Sequence, residues 1–181
     1  NRISGQTGTG IYVNFCSNTE IRDNYLSIIP NQGIYVYYSK ATRIANNKVY
    51  SNNRNGIYLY YATANSVVSN DLRRSANMMY AGIKIDNSSR NSFTENLVIR
   101  KYDGISDNTG SGTNLFSNNT VKSCTSSVGL SLSSHSNVVI GNQFVRNSTA
   151  FSLYGANNRI FSNLFHRSAS SAIFMANSSS N

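Results

Sequence analysis

The stretch Gly33-Ile34-Tyr35-Val36-Tyr37-Tyr38 decides how this chain is read. It returns as Gly56-Ile57-Tyr58-Leu59-Tyr60-Tyr61, and an earlier copy reads Gly10-Ile11-Tyr12-Val13-Asn14-Phe15. The copies lie 23 residues apart. A fixed period of this size is the signature of a repeat architecture. Within each copy, apolar residues such as Ile34 and Val36 alternate with Tyr35 and Tyr37. Strict alternation predicts a strand with one buried and one wet face.

A second signature interleaves with the first: apolar, two residues, Asn, one residue, apolar. It appears as Ile21, Asn24, Leu26 and as Ile44, Asn47, Val49, and recurs around Asn70, Asn96, Asn119, Asn142 and Asn163. These asparagines are separated by 23, 23, 26, 23, 23 and 21 residues. The pattern predicts a corner between two short strands. Asn tolerates the left-handed backbone conformation, and its amide can bond the amides of the coils above and below. A helix is excluded, because Gly and Asn interrupt every apolar run and no 3.6-residue period persists.

Parallel strands need crossovers, and these are right-handed in nearly all proteins. The expected fold is therefore all-β: a right-handed, single-stranded parallel β-helix of seven to eight coils with about 23 residues per coil. It spans residues 1–181 as one domain. No capping element is visible at either end, so the chain is expected to be a piece of a longer one. A three-residue insertion around Ser75–Met79 predicts a loop in the fourth coil. The fifth strand, Asp103–Asn108, is one residue short, and its register is left open.

Asn (28) and Ser (30) make up about a third of the chain, but the regular apolar positions separate it from disordered low-complexity sequence. No run is long enough for a membrane-spanning helix. Net charge is +9, from 16 Lys and Arg against 7 Asp and Glu, which favours polyanionic partners. Cys16 and Cys124 fall in the first and sixth repeats, more than about 20 Å apart at the strand spacing, and cannot form a disulfide. No metal-ligand spacing, phosphate loop or nucleophile elbow is present, so neither metal nor cofactor is expected.

Equivalent positions of a β-helix form columns. The outward column Tyr12, Tyr35, Tyr58, Lys84 and the next, Tyr37, Tyr60, Asp86, make an aromatic face in the early coils that gives way to charge. Tyr12, Tyr35, Tyr37, Tyr58 and Tyr60 are candidate ligand contacts, offering apolar faces and hydroxyls. They could equally be a ladder that only stabilises stacked strands. A basic column at Arg74, Arg100, Arg146 and Arg167, with Arg73, Lys122 and His166 beside it, matches the bidentate geometry of carboxylates and other oxyanions. Arg74 and Arg100 are the candidate contacts there. Lys84, Asp86 and Asp103 are the candidate catalytic groups, with Asp107 close by. Cations would neutralise a substrate carboxylate while a Tyr, Lys or Asp moves a proton. A structural salt-bridge cluster is the competing reading. His135 and His166 read as surface residues.

The corner Asn47-Lys48-Val49 and the strand Gly56-Ile57-Tyr58-Leu59 resemble the parallel β-helix repeats of the pectate-lyase-like superfamily. The texture is similar to the repeat region of mannuronan C5-epimerases and to NosD-like periplasmic proteins. The resemblance covers nearly the whole sequence. It implies an extracellular, cell-surface or periplasmic protein that binds or modifies an acidic polysaccharide, alginate-like or pectate-like, by epimerase or lyase chemistry. The Asp-Pro-His motif of the epimerases is missing, since the only proline stands in Ile29-Pro30-Asn31, so no catalytic residue is carried over. The alternative is a non-catalytic structural or adhesive solenoid, which could associate with itself end to end or side by side. Nucleic acid is disfavoured, because the basic residues are columnar rather than clustered on arms.

Overall fold

A computed structural model describes residues 1–75, 79–125 and 127–176, with the backbone alone described at Arg74 and Ser75. The predicted loop around Ser75–Met79 thus falls largely outside the described residues. Twenty-three short strands build three parallel sheets of eight, eight and seven strands, and no helix is formed among the described residues. The chain is a right-handed parallel β-solenoid of about seven turns.

Each coil visits the first, third and second sheets in turn. The first sheet carries the Gly-Ile strands, such as Ile34–Tyr37 and Ile57–Tyr60. The third carries strands such as Arg43–Ala45, and the second those that follow the Asn corner, such as Lys48–Asn52. The register follows the repeat: Tyr12 pairs with Tyr35, Tyr35 with Tyr58, and Tyr58 with Lys84. Inward residues fill one continuous core, including Ile34, Val36, Ile44, Val49 and Leu72, all fully buried. The interior is narrow. A Cβ added at Gly104 would collide with Val121 Cγ1 and with the Gly129 carbonyl, which explains the glycine that opens the strand.

The predicted Asn ladder is complete. Asn24 Nδ2 donates to Asn47 Oδ1 at 2.9 Å, Asn47 to Asn70 at 3.0 Å, and so on to Asn142 and Asn163 at 2.9 Å. The backbone of these residues differs from expectation. Positive φ falls one residue earlier, at Asp23, Asn46, Ser69, Glu95, Asn118 and Ser162. Each ladder Asn aims both its own N–H and its amide at the next rung, as when the Asn47 N–H donates to Asn70 Oδ1 at 2.9 Å. The chain reversal is therefore made by the preceding residue. A second ladder links Asn65, Asn91 and Asn114, and continues from Asn137 to Asn158 at 2.9 Å.

The open register of the fifth coil resolves as a shift. Ile85 pairs with Asp107 and Asp107 with Leu132, so Asp107 occupies a core column and is fully buried. The loop before this strand is one residue short, and the loop after it is one residue long around Gly110. The 23-residue ladder spacing survives because the two cancel.

Candidate functional site

The aromatic face consists of three ring columns. Tyr12, Tyr35 and Tyr58 stack along the axis with centroids 5.2 and 4.9 Å apart. Tyr37 and Tyr60 stack at 5.6 Å, and Phe15, Tyr38 and Tyr61 at 5.2 and 4.6 Å. Stacking in line with the axis uses up the ring faces, so most rings offer edges and hydroxyls outward. Burial, followed by the neighbouring Tyr12 and Tyr37 hydroxyls, pushes Tyr35 up to about 12. Along one flank of this face runs an open cleft of about 540 Å3, lined by Tyr12, Tyr35 and Tyr58 together with Thr9, Asn31, Gln32 and Arg54. Arg54 lies in the turn entering the third coil, two residues before its glycine. Only that position relative to the glycine could have flagged it in the sequence.

Charge begins at the next coil. The Tyr58 hydroxyl donates to Asp86 Oδ2 at 2.8 Å. Lys84 Nζ donates to Ser106 Oγ at 3.2 Å and lies 3.7 Å from Asp86 Oδ1. That second oxygen of Asp86 is buried and accepts no hydrogen bond among the described residues. Burial, and then the bond to Asp86, hold the Tyr58 hydroxyl far above its ordinary range, so it stays protonated. The structure therefore brings Tyr58, Lys84 and Asp86 together at one end of the tyrosine cleft. Asp103 stands apart. Its Oδ1 accepts the Val128 N–H at 3.4 Å, and among the described residues it bonds to neither Lys84 nor Asp86.

Arg100 opens onto a different cleft, of about 750 Å3, on the second sheet. Its lining includes Arg73, Lys122, Arg146 and His166, and shares no residue with the tyrosine cleft. Arg73 is gripped by Asp71, with Nε–Oδ1 and Nη2–Oδ2 at 2.7 and 2.8 Å. The Arg74 side chain is outside the described residues.

The fifth coil also hides two ionisable groups. Lys101 is buried and donates to Asn52 Oδ1 at 2.8 Å; burial pulls its ammonium down to about 7. Asp107 accepts from Ser134 Oγ at 2.7 Å and from Asn114 Nδ2 at 3.3 Å, and burial outweighs these bonds to raise it to about 6. Cys124 is buried and Cys16 exposed, and both are free thiols. Among the described residues no three of His, Cys, Asp or Glu gather where a metal ion could be held. No helix among them is long and apolar enough to cross a membrane.

Fold and repeat together define the class: a right-handed parallel β-helix whose successive coils present aromatic and then basic columns. The family described as "Right handed beta helix region" matches residues 1–99, and the family described as "Periplasmic copper-binding protein (NosD)" matches residues 53–181. The chain belongs to both families, which overlap on residues 53–99. No curated protein sequence matches it. Among solved structures, the periplasmic alginate epimerase AlgG aligns at 17% identity over 78% of this chain and 35% of its own, with a TM-score of 0.67. A single-mutant form of that epimerase gives 17% identity over 78% of this chain and 36% of its own, with a TM-score of 0.65. A double-mutant form covers 100% of this chain and 38% of its own at 18% identity, with a TM-score of 0.57. At such identities the likeness is one of fold. The chain spans roughly a third of the length of those epimerase chains.

Proposed function

We propose that this β-helix binds an acidic polysaccharide along the tyrosine cleft and carries uronate chemistry at its charged end. The observation that supports this most is the Tyr58–Asp86–Lys84 cluster, set where the tyrosine column stops. The row of hydroxyls and Arg54 can hydrogen-bond a chain lying parallel to the axis. Lys84 would sit against the sugar carboxylate. Asp86 would accept the proton at C5 through Oδ2, once the substrate displaces the Tyr58 hydroxyl from it. The pair of electrons left on C5 is then delocalised into the carboxylate that Lys84 faces. Return of a proton to the opposite face gives epimerisation; expulsion of the C4 oxygen gives β-elimination. Tyr58, held protonated beside Asp86 on the same face of the sugar, is the donor to the C4 oxygen in β-elimination, and solvent supplies the opposite-face proton in epimerisation. Asp103 and Arg100 lie outside this cluster, and any part they take is through the flanking turn and the second cleft. The AlgG likeness in fold and the periplasmic description of the NosD family favour an extracytoplasmic, carbohydrate-related role. Copper stands in that family's description, and among the described residues no three of His, Cys, Asp or Glu gather to hold a metal ion.

The test is incubation with polymannuronate and with polygalacturonate, following solvent deuterium entering C5 and the absorbance of unsaturated product. Either signal, lost in Asp86→Asn, supports the reading. Silence in both, with binding retained, leaves a binding protein. The second reading, a non-catalytic adhesive rod, is favoured by the stacked rings themselves, which already satisfy one another across coils. It predicts no oligosaccharide binding to the tyrosine cleft at all.

A further inference from the structure

We propose that the cleft on the second sheet is a separate groove for a linear anionic polysaccharide, which lies along the axis with one anionic sugar per coil. The backbone supplies the first argument. Arg100 and Arg146 sit in the turn that ends each second-sheet strand, at φ 54 and 54°, in the left-handed region. In earlier coils the same turn is made by Ile28 and Ser51, also at positive φ. The turn therefore does not need arginine, and Asn or Gly would adopt it at less cost. The arginines are better explained by what their side chains reach.

Charge supplies the second. Between residues 97 and 181 the only acidic residues are Asp103 and Asp107, and Asp107 is buried in the core. Among the described residues no carboxylate lies within ion-pair distance of Arg100, Lys122 or Arg146; of the cations lining the cleft, only Arg73 is tied, to Asp71. The cleft thus holds unpaired positive charge against low-dielectric walls, which concentrates anions.

Spacing identifies the ligand. Arg73, Arg100, Lys122 and Arg146 supply one cation in each of four successive coils, alternating between strand and turn, and His166 places an imidazole in the fifth. At the strand spacing this row runs for about 19 Å. A polyuronate bears one carboxylate per ring, and a sugar ring is about as long as one coil is tall. Duplex DNA presents phosphates at about 3.4 Å per strand, out of step with the coils. Single-stranded nucleic acid is gripped by stacking on aromatics, and no Phe, Tyr or Trp lines this cleft. Because the two clefts share no residue, the proposal does not depend on the reading of the tyrosine cleft.

The test is titration of the whole chain with a mannuronate hexamer over a range of salt. It uses wild type, Arg100→Gln/Arg146→Gln and Tyr35→Ala/Tyr58→Ala. In the arginine variant, binding should weaken at least tenfold and the salt dependence should fall by about two charges. The tyrosine variant should retain that salt-dependent component. If the arginine variant keeps wild-type affinity and salt slope, or if the whole loss follows the tyrosine variant, this proposal fails; the latter result would still sustain the first cleft. Tighter binding of single-stranded DNA than of the hexamer, abolished in the arginine variant, would also overturn it.

Discussion

Asn119 shows how much a single side chain holds in this fold. Its amide donates to Asn142 Oδ1 at 2.9 Å and to the Phe93 carbonyl at 2.8 Å, while its oxygen accepts from the N–H and the amide of Asn96. All of these atoms are buried, so Asn119→Ala strands several donors and acceptors together. Each unsatisfied buried group costs about 1–3 kcal/mol. A loss of at least about 3 kcal/mol is expected, read as a lower urea midpoint. Asn119→Asp should fail similarly, because a carboxylate cannot donate to Asn142. At Gly104 the neighbouring carbonyl and Val121 leave no room for a methyl group, and Gly104→Ala should cost about 1–3 kcal/mol by overpacking. At the tyrosine cleft, Tyr35→Ala/Tyr58→Ala should abolish the salt-insensitive part of oligouronate binding. Unchanged binding would remove the cleft from the functional account.

Coil five is the element where burial and ionisation collide. Asp107 binds its proton more tightly folded, up to about 6, than its ordinary value of 3.8. Its contribution to stability is present below pH 4 and is lost as pH rises to about 6. Lys101 runs the other way: folded it holds its proton only to about 7, against 10.5 ordinarily. The unfolded chain then carries the extra proton, so stability climbs as pH rises above 7. Cys124, raised by burial to about 12 from 9.0, opposes that climb above pH 9. Stability should therefore pass through a minimum between about pH 6 and 7. Inside its own window each group changes stability by roughly 1.4 kcal/mol for every pH unit. Urea titrations at pH 4, 6.5 and 8.5 would show it, and Lys101→Met/Asp107→Leu should flatten the curve. None of this was legible in the sequence. The period and the alternation gave the coils, the sheets and the inward columns, because burial on a pleated strand repeats every second residue. Asp107 escaped, because a short loop and a long loop cancel around it and the ladder spacing stays regular. The aromatic and basic columns were legible as columns. That they line two clefts was not, since it depends on how the turn from second sheet to first directs each side chain. The second Asn ladder was readable at Asn65, Asn91, Asn114, Asn137 and Asn158, but its signal is weakened by the abundance of asparagine.

On the scale of the whole molecule, the chain grades from aromatic coils to basic coils. Both proposed grooves run with the axis, so ligand length should matter in steps of one sugar per coil. Affinity for the basic groove is expected to rise from trimer to pentamer and then level off, measured by titration at fixed salt. A continuous rise beyond that length would mean that the ligand follows a longer path than these five coils.

The ladder has one further property. From Asn1 to Asn142, each rung donates an amide N–H to the side-chain oxygen of the rung that follows, so within the Asn-to-Asn chain every oxygen faces the coil before. The stack is a polar column, with an acceptor face at one end and a donor sense at the other. A coil that extends it, whether from this chain or from another copy, must run in the same direction. Two copies can therefore continue one another head to tail, but a two-fold dimer joined through like ends would set oxygen against oxygen. A contact made through this column is therefore heterologous rather than two-fold, whichever coil supplies it.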